Sequence, residues 1–426
     1  MPGKDRAFHS TDVHEMRNAI ARVVTATTVT DMHTHLYPPA FGDLLLWGID
    51  DLLTYHYLVA EVLRVSAIPY ERFWALGKKE QADLVWRELF VERSPCSESC
   101  RGVLTVLNAL GLDVSVRDLD AYRKYFAEQD PAAHVDTVFR RANVACVVMT
   151  NDPFDDAERP FWEREPEAGP RFRAALRLDA LLNNWESAWE RLREWGYNTE
   201  PTLNPGTCAE VRRFLEHWLT RMRALYMAVS LPPTFAFPED SPRGKLIAEC
   251  VAPVAEVYQA PLAMMIGVKR SVNPALRLAA DGVGKASIEA VERLCAEFPK
   301  NRFMATMLAR ENQHELCVAT RKFRNLCLFG CWWFMNNPSL IEETTRMRFE
   351  LLGMSVVPQH SDARVFEQLI YKWSHSRAVL AKVLDEKYAD LLATGWQVTE
   401  REIERDVARL LGGNFWDFVG QRNKGE

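Results

Sequence analysis

Apolar residues in this chain gather in short, nearly unbroken runs that recur along its length. Eight of these runs read as strands: 27–35, 143–152, 171–179, 224–232, 261–269, 301–309, 325–333 and 355–363. A strand with one wetted face alternates apolar and polar positions. Most of these do not, as in ALYMAVSLP and PLAMMIGVK, so the pattern predicts parallel strands buried on both faces. Segments of helical period lie between most of them. In 285–299, Ile288, Val291, Leu294 and Cys295 fall at three-and-four spacing with charges opposite. Strand–helix alternation carried eight times predicts an α/β fold, a distorted (β/α)8 TIM-like barrel. The rival doubly wound sheet would want a Gly-rich first turn, where this chain has HTHLYPP.

The spacing of the runs is uneven. The stretch between the first and second strands is rich in Leu, Trp and Tyr and helical in period, as in DLLLWGIDDLLTYHYLVAEVLR. Residues 1–426 therefore read as a single barrel domain with a helical insertion over 43–140 and closing C-terminal helices over 364–426.

Composition narrows the function. Lys plus Arg number 52 and Asp plus Glu 58, a net charge of −6, without the basic excess of a nucleic-acid binder. No apolar run is long enough for a membrane span, and no apolar segment follows the charges of the N-terminus as a secretory signal would require. The nine cysteines include no C-x-x-C pair. Cys96 and Cys100 lack completing ligands, and Cys146, Cys250, Cys317, Cys327 and Cys331 sit in apolar runs. A cytoplasmic protein with free thiols is expected, taking a small-molecule substrate and no nucleic acid or membrane. A homo-oligomer is compatible with its size.

A barrel of this kind carries its chemistry at the C-terminal ends of its strands. Polar residues there are His33 and His35 on the first strand, Thr150, Asn151 and Asp152 on the second, and Arg177 and Asp179 on the third. Lys269 ends the fifth, Arg310-Glu311-Asn312 follow the sixth, and Trp332-Trp333 end the seventh. His360, Ser361, Asp362 and Arg364 end the eighth. Residues i and i+2 of a strand share a face, so His33 and His35 can converge on one divalent metal. Asp362 would complete the set, because the eighth strand neighbours the first in a closed barrel. Arg177, within an apolar run, needs an anionic partner, either a structural carboxylate or a substrate; the substrate is the favoured reading. Trp332 and Trp333 should alternate, one lining the mouth and one packing outward. His314 and His360 read as supporting groups, His56 as either a packed or a functional helix residue, and 151–167 as a solvated acidic loop over the mouth.

DMHTHL at the first strand, FGCWWF at the seventh and HSDAR at the eighth resemble the uronate (glucuronate) isomerases of the amidohydrolase superfamily, in particular their divergent bacterial branch. VVMTNDPFDD, AALRLD and MLARENQHEL extend the likeness through most of the chain. The resemblance implies one divalent metal, zinc, on His33, His35 and Asp362. It implies isomerisation of D-glucuronate to D-fructuronate and of D-galacturonate to D-tagaturonate, by proton transfer through a cis-enediol. Asp362, His56 and Arg364 match catalytic positions; Tyr57, Arg177 and Trp332 match positions at the substrate. Hydrolytic superfamily members carry further histidines on strands five and six and many a lysine on strand four, and this chain has neither. A metal-dependent hydrolase or decarboxylase on the same barrel remains the alternative.

Overall fold

Seven parallel strands form one curled sheet in which chain neighbours are sheet neighbours. They are β1 (Val29–Thr34), β2 (Val144–Asn151), β3 (Phe172–Arg177), β4 (Met227–Leu231), β5 (Leu262–Ile266), β6 (Phe303–Met307) and β7 (Leu326–Leu328). This is a computed structural model, and it describes residues 7–9, 11–164 and 169–420. β4, β5, β6 and β7 are buried at every position, the two-sided burial that their unbroken apolar runs predict.

The eighth strand differs from expectation. The run over 355–363 makes only an isolated bridge, Phe329 to Val357. It nevertheless closes the barrel. On one side Gly330 N donates to Val357 O at 2.7 Å; on the other Asp362 N donates to His33 O at 3.2 Å and His35 N to Ala363 O at 2.8 Å. A regular strand fails because Pro358 has no N–H to donate and Asp362 is left-handed, with φ 55°. The fold is a distorted (β/α)8 TIM-like barrel whose last stave is irregular. The runs at 261–269 and 325–333 also stop early, at Ile266 and Leu328, where Gly267 (φ 118°) and Gly330 (φ 62°) turn the chain.

The barrel interior is filled by Met32, Cys146, Val148, Ala175, Tyr226, Ala228, Ala263, Met265, Met304 and Phe329. Small residues on β3, β4 and β5 make room for methionines and for the Tyr226 ring. The lower end is plugged by the C-terminal helix Asn414–Val419, whose Trp416 Nε1 donates to Thr30 Oγ1 at 2.9 Å.

Between β1 and β2 the chain runs through a series of helices. Two of them shape the site. Helix α1 (His56–Val65) buries Leu58, Val59, Val62 and Leu63 as one apolar stripe, which fixes its first turn, carrying His56, near the barrel mouth. Helix α2 (Tyr70–Ala75) buries Phe73 and brings up Trp74. After the eighth stave, α3 (Gln368–Ala393) is buried along much of its length. Its Trp373 Nε1 donates to Asp31 Oδ2 at 2.8 Å, tying this helix to β1 directly below the histidine pair.

Candidate metal centre and active-site cavity

His33, His35 and Asp362 each offer a ligand atom, and the three atoms lie within 4.8 Å of one another. His33 Nε2 is 3.7 Å, and His35 Nε2 3.3 Å, from Asp362 Oδ1. The two imidazoles meet edge-on, ring centroids 5.4 Å apart. The strand alternation that suggested convergence is only part of the reason, since β1 ends at Thr34. His35 is placed by its backbone bond to Ala363, across the barrel seam.

Two hydroxyls fix which imidazole nitrogen faces the centre. Tyr226 donates its hydroxyl proton to Met32 O at 2.6 Å, so the same oxygen accepts from His33 Nδ1, 3.4 Å away. Thr150 donates to Thr34 O at 3.0 Å, so its oxygen accepts from His35 Nδ1, also at 3.0 Å. Each ring thereby carries its proton on Nδ1 and turns an Nε2 lone pair inward. Among the described residues, His33 Nε2 and Asp362 Oδ1 are buried with no hydrogen-bond partner. Orphaned buried acceptors beside a carboxylate fit a cation. Tyr226, at the foot of β4, carries no sequence signal for this task; Thr150 does, as a polar strand end.

Burial pushes His33, His56 and His360 down to about 3 and His35 well below the ordinary 6.5. The ligands are neutral without any proton having to leave. Metal affinity, followed by competition with a coloured chelator, is therefore expected to show no step near 6.5 between about pH 5.5 and 8. The metal-free protein should behave differently. As pH falls below 6.5 the unfolded chain takes up protons that the folded histidines refuse until about 3, which lowers stability. Asp31, Asp152 and Glu158, raised by burial to about 6, 6 and 7, are protonated first in the folded state and offset part of that loss, so a smaller net decline is expected across the interval. Thermal midpoints that hold constant from 6.5 to 4 would contradict this.

The centre opens into a cavity of about 600 Å³ at the C-terminal ends of the strands. His35, His56, Arg177, Trp332, Asp362 and Arg364 all line it. His56 Nε2 is buried without a partner, its ring 4.1 Å from that of Tyr55 and 5.6 Å from that of Trp333. Tyr57 does not line the cavity. It lies edge-on to His56 at 4.5 Å, with the Lys372 ammonium 5.5 Å from its ring and its hydroxyl buried without a partner.

Arg177 is engaged by its own chain. Its Nε and Nη2 donate to Asp179 at 2.9 and 3.1 Å, so the anion nearest this arginine is a structural carboxylate. Trp332 and Trp333 both line the cavity, against the expected alternation. The strand has ended by then, and Trp333 (φ 47°) opens a 3-10 turn, where period two no longer applies. Lys269 and Arg310 are outside the cavity lining, and Arg310 pairs with Glu343 at 2.7 Å. His314 is exposed on the helix Gln313–Thr320. His360 is fully buried, its ring 5.1 Å from that of His33.

The acidic stretch after β2 is not simply a solvated loop. Glu158 is buried and accepts from Asn151 Nδ2, Trp162 Nε1, Tyr37 Oη and Asp152 N. Burial raises it to about 7. Glu165 to Glu167, the end of that stretch, lie outside the described residues.

No family model matches the chain, and no curated protein does. Solved structures do. An uronate isomerase from Bacillus halodurans C-125 is 59% identical, covers 96% of this chain and 97% of its own, and superposes with a TM-score of 0.95. The chain belongs to the uronate isomerase family. Two more distant structures share the fold of this uronate isomerase family member. A glucuronate isomerase from Caulobacter crescentus has a TM-score of 0.78 and 17% identity over 100% of this chain and 98% of that one. An uronate isomerase from Thermotoga maritima has a TM-score of 0.76 and 15% identity over 94% and 97%.

Proposed function

We propose that this chain is a metal-assisted uronate isomerase, interconverting D-glucuronate with D-fructuronate and D-galacturonate with D-tagaturonate. The observation that carries the reading is its 59% identity to an uronate isomerase over nearly the whole of both chains. His33, His35 and Asp362 would hold one divalent ion. Zinc suits two imidazoles and one carboxylate with positions left open, and when bound it supplies Lewis acidity for a carbonyl and the neighbouring hydroxyl.

The chain's own groups take the remaining roles. An aldose becomes a ketose when a proton leaves C2 and arrives at C1. Asp362 is the carboxylate facing the cavity beside the histidines, and it carries that proton on one face of the substrate. Arg364, also in the lining, orients it. His56, neutral and unpartnered at Nε2, exchanges the oxygen-bound proton, with the Tyr57 hydroxyl behind it. Arg177, aimed by Asp179, selects the C6 carboxylate, and Trp332 forms a wall. We place the enzyme in the cytoplasm. Its nine cysteines are all free, and among the described residues no helix is long and apolar enough to cross a membrane.

Proton NMR of either aldose in D2O tests the reading. Zinc-loaded protein is expected to yield the ketose with deuterium at C1, and chelator-treated protein little or none. Ketose without deuterium would overturn proton transfer through solvent exchange. Absence of ketose from both sugars, with metal verified in the protein, would overturn the isomerase.

A further inference from the structure

Five cationic side chains line the cavity, and most are already neutralised. Lys78 pairs with Asp51, Arg177 with Asp179, and Arg270 with Asp281 at 2.5 Å. Arg364 and Arg277 have no carboxylate oxygen within ion-pair distance among the described residues. Arg364 sits beside the metal ligands and has a role above. Arg277 does not.

Arg277 stands at the cavity rim on the excursion that follows β5. The excursion leaves the barrel at Gly267 and returns at Gly284, whose N donates to Gly267 O at 2.8 Å. A Cβ on Gly267 would meet Gly284 O at 2.8 Å, so the crossing needs glycine there. Between these points Val268–Lys269 pairs antiparallel with Gly282–Val283, which makes the excursion a short hairpin.

Its tip is docked on the insertion. Trp74 Nε1 donates to Ala275 O at 2.8 Å, and the Arg277 guanidinium lies over the Trp74 ring, 5.0 Å from its centroid. Arg277 itself has φ 48° and ψ −111°, a conformation that costs a non-glycine residue about 1–3 kcal/mol. A strained backbone, a stacked side chain and the lack of an anionic partner together leave a pre-aimed positive charge at the entrance to an anion-using site.

We propose that Arg277, held by Trp74, supplies a second, unpaired positive charge for the substrate's carboxylate at the entrance of the cavity it shares with Arg177. It adds to Arg177, whose charge Asp179 partly offsets, and so favours sugar acids over neutral sugars. This rests on the uronate reading above. Arg277 acts in binding and delivery, whereas Asp362 and His56 act at the reacting carbons. Removing it should therefore weaken binding and leave kcat unchanged.

The test uses ligands that cannot isomerise, so that it stands apart from turnover. L-Gulonate and D-glucitol are the C1-reduced counterparts of D-glucuronate and D-glucose, one charged and one neutral. Calorimetric titration of the metal-loaded protein is expected to show L-gulonate bound about 5–10-fold more weakly by Arg277→Gln than by wild type, a gap that narrows in high salt. D-Glucitol should bind both alike, and Arg277→Lys should recover part of the loss. Trp74→Leu should move L-gulonate in the same direction by less. L-Gulonate affinity within about twofold of wild type in a folded Arg277→Gln would overturn the proposal. So would failure of the wild type to prefer L-gulonate over D-glucitol. Charge-selective binding through Arg277 without any ketose formation from D-glucuronate would instead overturn the activity and leave this proposal standing.

Discussion

Asp362→Asn is expected to lower turnover of D-glucuronate by roughly a thousandfold while leaving the fold intact. The substitution isolates chemistry from structure. Asp362 is left-handed at φ 55°, and asparagine tolerates that region as well as aspartate does. The bond from its backbone N to His33 O, which helps close the barrel, does not involve the side chain. What changes is Oδ1, buried without a donor and 3.3 Å from His35 Nε2. An amide there is neutral. It offers a cation a weaker donor and no longer accepts a proton from carbon. Metal content and turnover read the two roles separately. Loss of both would mark Asp362 chiefly as a ligand, whereas retained metal with lost turnover would mark it as the base. Metal content and turnover both near wild type would refute either role. The thermal midpoint of the metal-free variant should match that of the metal-free wild type.

How much of this was legible in the sequence follows from which interactions are local. Strands buried on both faces write themselves as unbroken apolar runs, so the seven regular staves could be located to within a few residues. The eighth could not be read the same way. Its run is apolar enough, but Pro358 and the left-handed Asp362 keep it out of a ladder, and its pairing depends on Gly330 and His35 far away in the chain. The metal triad was legible because strand periodicity and barrel closure bring His33, His35 and Asp362 together. The groups that set the histidine tautomers were harder. Thr150 marks a strand end, but Tyr226 lies inside the barrel, where a tyrosine reads as core. Arg177 shows the limit of arguing from one residue type: an arginine in an apolar strand demands an anion, and Asp179, two residues on, supplies it. Arg277 was invisible because its backbone conformation and its contact with Trp74 arise only when insertion and barrel are assembled.

Gly330→Ala should be among the most damaging single methyl additions to this protein, costing at least about 3 kcal/mol of stability. Gly330 has φ 62°, where a side chain alone costs roughly 1–2 kcal/mol. An ideal Cβ there would stand 1.8 Å from His360 Nδ1 and 2.3 Å from its Cε1. His360 has little room to retreat, since it is fully buried with the ring of His33 5.1 Å away and that of Phe329 5.5 Å away. Gly330 cannot withdraw freely either, because its N donates to Val357 O at 2.7 Å and so joins β7 to the last stave. The strain therefore runs along the seam towards Asp362 and through His360 to His33, and metal affinity should fall together with stability. Chemical denaturation of wild type, Gly330→Ala, His360→Ala and the double variant separates the causes. If the collision dominates, the double variant will be more stable than Gly330→Ala alone, with the left-handed backbone cost remaining. A double variant no more stable than Gly330→Ala would assign the loss to the backbone. A Gly330→Ala protein within about 0.5 kcal/mol of wild type would show that His360 has somewhere to go and that the seam is not tightly packed.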